Sequence, residues 1–99
     1  MISHSEKEKY KNILKPLMDQ IGFIEKKKNE IFTINEYSLQ LHKEKIMGEY
    51  VIRYCLFHKK ENKYLLLIKT YCIDTFISFI KNDMNIYIRK YKINKLLNY

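Results

Sequence analysis

A chain of 99 residues with a formal net charge of +8, 46% hydrophobic and 14% aromatic, suits one domain spanning residues 1–99, because a chain this long buries roughly two thirds of the surface it exposes unfolded. That composition excludes an intrinsically disordered chain and leaves no room for a second core. The longest unbroken apolar stretch, Tyr64 to Ile68, is far below the roughly 20 residues of a membrane-spanning helix, and the charged first dozen residues do not read as a secretory leader.

Ser5 followed by Glu8 has the spacing of a capping box and predicts a helix start. Tyr10, Ile13, Leu14, Leu17, Met18 and Ile21 then recur as one helical face, and Gly22 stands where a left-handed cap ends the helix. Pro16 interrupts that pattern, since it removes the backbone bond to Asn12 and predicts a kink or a division.

From Phe23 to Tyr71 the composition turns to Ile, Tyr, Phe, Leu and Thr, broken at Lys28-Asn29, around Glu44 to Gly48 and at Lys59 to Asn62. Strands are expected over 23–27, 31–42, 50–58 and 63–71, antiparallel because the connections are too short for crossovers. The second divides in two if the phase change at Asn35-Glu36 is a turn rather than a bulge. In the last hairpin Ile52, Tyr54 and Leu56 share a face with Leu65, Leu67 and Lys69, while Val51, Arg53, Cys55 and Phe57 share the other with Tyr64, Leu66 and Ile68. Both faces are largely apolar, which predicts cover on both, by helices or by another chain.

Asp74 or Thr75 is the expected cap of a second helical segment from about Phe76 towards Leu97, with an interruption near Asn82-Asp83. Its main stripe is Phe76, Ile77, Ile80, Met84, Tyr87, Ile88 and Tyr91. Ile86 to Ile93 also fits a strand, but helix is preferred. The fold class expected is α+β: an N-terminal helix, a four-stranded or five-stranded antiparallel sheet, and a C-terminal helical segment. Ile13, Leu17, Ile80 and Met84 are expected in the core.

Little in the sequence points to catalysis. With only Gly22 and Gly48, no glycine-rich phosphate loop or nucleophile elbow can be built. His42 and His58 end successive strands and so cannot share a metal, and neither a metal nor a cofactor is expected. Cys55 and Cys72 lack a Cys-x-x-Cys spacing and sit in apolar runs, which predicts reduced, mostly buried thiols in a cytoplasmic, reducing setting. The stretch Glu49-Tyr50-Val51-Ile52-Arg53-Tyr54 and the hairpin after it resemble the sheet of RelE-type messenger-RNA interferases. That resemblance implies a small basic ribonuclease, although those toxins open with a strand and a helical pair rather than one helix.

Lysine supplies 17 of the 19 basic residues, and Ile, Lys, Asn and Tyr make up 49 of the 99, the mark of AT-rich codons. Codon bias does not explain the asymmetry: residues 1–50 carry a net charge of +1 and residues 51–99 a net charge of +7. The positive field therefore belongs to the second half. There Lys81, Arg89, Lys92 and Lys95 form a basic helical stripe, the candidate nucleic-acid contact, with tyrosines nearby to stack on bases. A second stripe, Phe79, Ile86, Ile93 and Leu97, is the candidate partner interface for a second copy or another protein. The expectation is a small non-enzymatic binding protein acting on nucleic acid, RNA before DNA, or on a nucleoprotein. A regulator or inhibitor of nucleic-acid-guided host defence, encoded by a virus or mobile element, matches this composition. The competing expectation is a protein-interaction subunit whose excess lysine is incidental.

Overall fold

Ser3 rather than Ser5 starts the first helix, its Oγ accepting from the Glu6 N–H at 3.1 Å. The computed structural model describes residues 3–97, with side chains described for 3–90 and for Ile93. From His4 the backbone stays helical to Ile21 in three pieces: α1 (His4–Lys9), a π-helical turn (Tyr10–Leu14) and α2 (Lys15–Ile21). Pro16 accounts for the middle piece. Its ring would press on the Asn12 carbonyl in a regular helix, whereas the wider turn, in which the Lys15 N–H reaches the Tyr10 carbonyl, seats it in the first turn of α2, where no N–H is needed. The widening also changes which side chains face inward. Leu14 is fully buried while Ile13, expected in the core, is 41% exposed.

Gly22 ends α2 with φ of 104°, its N–H bonded to the Met18 carbonyl. Five strands follow as a meander in the order β1 to β5: β1 (Ile24–Lys27), β2 (Ile31–Ile34), β3 (Tyr37–Ile46), β4 (Glu49–Lys60) and β5 (Lys63–Thr70). The phase change at Asn35-Glu36 is a turn, with Asn35 at φ 49°, so the long second strand is two. β3 runs on to Ile46 instead of stopping near residue 42, because it stays paired with β4 down to Ile46 and Glu49. Met47-Gly48 and Glu61-Asn62 close their hairpins with two consecutive left-handed residues each, the geometry that matches the twist of the flanking strands.

A bulge between Leu56 and Phe57 corrects the expected faces of the last hairpin. Phe57 stands opposite Leu66, but Leu56 stands opposite Ile68 and Cys55 opposite Lys69. Ile68 is thereby turned to the core and Lys69 away from it, with Leu67 packed against the core as well.

Cys72, not Asp74 or Thr75, occupies the cap position of α3 (Ile73–Asp83), which lets Ile73 enter the core. The helix breaks at Met84, with φ −111° and ψ 23°, and α4 (Asn85–Leu97) continues in a new direction. Residues 86–93 are thus helical. The main stripe expected over Phe76, Ile77, Ile80 and Met84 is buried, and Tyr87 and Ile88 pack against it.

All the helices lie on one face of the sheet, where Leu14, Leu17, Met18, Ile21, Phe76, Ile77 and Ile80 meet Phe32, Leu39, Leu41, Tyr54 and Leu56. The expectation of cover on both faces is overturned. Among the described residues no element lies over the second face, and Ile24, Tyr64 and Leu66 on it are at least half exposed. No helix among the described residues is long and apolar enough to cross a membrane. Cys55 is buried as expected, but Cys72 is exposed because it belongs to the connection into α3, and both thiols are free.

Candidate nucleic-acid interface

The sheet is longer than the strands that flank its central hairpin. Pairing of β2 with β3 stops at Gln40, and pairing of β5 with β4 stops at Tyr54. From His42 to Arg53, β3 and β4 therefore have only each other as strand partners, a two-stranded arm that extends roughly 17 Å past the sheet at the usual rise per residue. It contributes to the elongated 50 × 35 × 23 Å form of the molecule.

Alternation along the arm sorts its side chains by chemistry. On the side that faces the helices lie Lys43, Lys45, Tyr50 and Ile52, with Lys43 opposite Ile52 and Lys45 opposite Tyr50. The Lys43 and Lys45 ammonium groups sit 4.7 and 5.8 Å from the centre of the Tyr50 ring, within range of a cation–π attraction. On the reverse side the Arg53 guanidinium holds Glu44 at 2.6 Å, and the Tyr71 hydroxyl donates to the same carboxylate at 2.9 Å. Glu44 is thus engaged on the reverse side, and Lys43 and Lys45 are exposed.

The base of the arm, the β1–β2 turn and α1 enclose two adjoining hollows of about 230 and 220 Å³, which share Asn29, Leu41 and Ile52. Lys28 and Lys43 line one and Lys7 the other. Their carboxylates are already engaged, Glu30 by Lys27 at 2.7 Å and Glu6 by the Tyr54 hydroxyl at 3.0 Å. Tyr54 and Tyr10 line the second hollow. Burial raises the pKa of both phenols, with Glu6 adding to the effect at Tyr54 and Glu25 at Tyr10, so each stays a neutral hydrogen-bonding group.

The residues expected to form the basic stripe divide. Lys81 on α3 and Arg89 on α4 are exposed, but they stand on two helices separated by the break at Met84, not on one continuous face. The side chains of Lys92 and Lys95 lie outside the described residues. For the apolar stripe, Ile86 and Ile93 are 59% and 54% exposed, Phe79 is drawn against the chain's own core, and the Leu97 side chain lies outside the described residues. His42 and His58 fall on opposite faces of the sheet, His42 bonded to Gln40 and His58 to Glu36. Among the described residues no cluster of His, Cys, Asp and Glu could hold a metal ion.

Sequence reasoning missed the arm because it read Glu44 to Gly48 as a break. The signal was present in Lys43-x-Lys45, whose alternation continues that of Leu39 and Leu41 and puts both lysines on the face of Tyr50 and Ile52. Comparison with protein-family models, with curated proteins and with solved structures finds no match.

Proposed function

We propose that this protein is a non-catalytic binding protein that engages nucleic acid, RNA in preference to DNA, or a nucleoprotein, from a reducing cytoplasm. The observation that carries the reading is the cluster of Lys43 and Lys45 around Tyr50 on the arm, continued by Lys28 and Lys7 beside the hollows at its base. Phosphate contact needs unpaired cations, base contact is served by exposed rings, and a two-stranded ribbon is slim enough for a nucleic-acid groove. Lys81 and Arg89, exposed on the helices, add to the same field. Composition alone extends the proposal to a virus-encoded or mobile-element-encoded inhibitor of a nucleic-acid-guided defence complex.

Titration of labelled RNA and DNA across a salt series tests it. The variant K7Q/K28Q/K43Q/K45Q is expected to stay folded, to lose affinity, and to show a salt slope smaller by roughly one per phosphate contact removed. The quadruple change at Lys81, Arg89, Lys92 and Lys95 to Gln measures the share of the helical cations in the same assay. Unchanged affinity and slope in both variants overturn the proposal. A protein-interaction subunit is the second reading, favoured by the exposed Ile86 and Ile93 on α4.

A further inference from the structure

We infer that the free edge of β5 accepts an extended, acid-flanked segment of another protein as a sixth strand. β5 is the last strand in the sheet order, and among the described residues no strand pairs with its outer side. Tyr64, Leu65 and Leu66 there are 61%, 53% and 50% exposed in succession, so large apolar side chains stand on both faces of an edge whose outward backbone groups have no strand partner among the described residues. Edges that must stay single are usually interrupted by proline or by an inward-pointing charge. Neither occurs between Tyr64 and Ile68, and the bulge at Leu67 comes directly after Leu66, so the regular stretch of the edge is Tyr64 to Leu66.

The charges around the edge select the occupant. Lys63 and Lys69 bracket the apolar run, and Lys59 and Lys60 lie beside it on β4, Lys59 5.9 Å from the Tyr64 ring centre. Of the acids close by, Glu61 lies in the turn and Glu36 is engaged by His58 on the β3 side, and none of these four lysines has a carboxylate partner among the described residues. A second copy is a poor occupant. Antiparallel self-pairing centred on Leu66 sets Lys63 against Lys69 at both ends, and two chains of charge +8 repel. A strand with apolar residues at its centre and Glu or Asp at its ends places opposite charges across both bracketing positions, while main-chain bonds supply the affinity.

The test uses two fluorescein-labelled peptides of alternating Val and Thr, one with Glu at both ends and one with Lys, titrated to millimolar concentration against the full chain. The acidic peptide is expected to bind at least about fivefold more tightly, from two cross-strand charge pairs. It should also slow hydrogen exchange at backbone amides between Lys63 and Ile68. The variant K63E/K69E should reverse the preference. Absence of binding, equal affinity for the two peptides, or protection confined to another element overturns the inference. Concentration-dependent protection of β5 without peptide overturns it in favour of a second copy. RNA binding by K63E/K69E reports on the arm separately, because neither residue belongs to it.

Discussion

The Tyr54 hydroxyl, at the end of a fully buried ring in the middle of β4, donates to the Glu6 carboxylate of α1 at 3.0 Å. This one bond ties the first turn of the chain to the centre of the sheet across 48 residues of sequence. Tyr54→Phe is expected to cost about 1 kcal/mol in urea unfolding. Because the folded phenol ionises above its ordinary value of 10.0, the unfolded chain loses its proton first as pH rises. Stability is therefore retained below that value and falls above it. Tyr54→Phe should show a shallower alkaline loss than the parent chain.

The π-helical turn makes neighbouring residues respond differently. Leu14→Ala empties a fully buried position and should cost about 2–5 kcal/mol, while Ile13→Ala on the exposed side should stay within about 1 kcal/mol. A regular helix through this segment would narrow that gap, so denaturant midpoints of the two variants check the turn directly.

Gly22 and Gly48 both have positive φ, 104° and 82°, but only one is crowded. A methyl group at Gly22 would meet the Ile34 Cδ1 at 3.2 Å, whereas none meets anything near Gly48. Each change to Ala should cost about 1 kcal/mol from the left-handed backbone. The larger loss of thermal stability is expected for Gly22→Ala.

Cys72 and Cys55 should separate in alkylation. The Thr75 hydroxyl, then the Thr75 backbone N–H, hold the exposed Cys72 thiol below its ordinary value, and burial pushes the Cys55 thiol up despite Arg53 and Lys69 nearby. Iodoacetamide followed by peptide mass mapping should label Cys72 first, with a half-maximal rate at lower pH than a free thiol. Thr75→Val should move that pH upward. Equal labelling of both cysteines in the native chain would contradict the placement of Cys55.

Much of the fold was legible locally. The helical stripe from Leu14 to Ile21, the cap at Gly22, the phase change at Asn35-Glu36, which left turn and bulge open, and the Phe76-to-Met84 stripe each depend on neighbours within a few residues, where periodicity and turn chemistry act. The start of the first helix was misplaced because Ser3-x-x-Glu6 and Ser5-x-x-Glu8 offer the same local spacing. Only in the fold does Tyr54 engage Glu6.

What tertiary structure alone decided involves residues far apart in the chain. The bulge opposite Leu56 turns Ile68 inward and Lys69 outward, Phe79 packs on the core, the second sheet face stays uncovered, and the arm emerges where β2 and β5 stop pairing. None of these follows from the spacing of residues along one strand or helix, because each depends on which partner reaches that point in space. Amino-acid spacing determined the kinds of element and their inward sides; non-local packing determined which sides and edges remain for a partner.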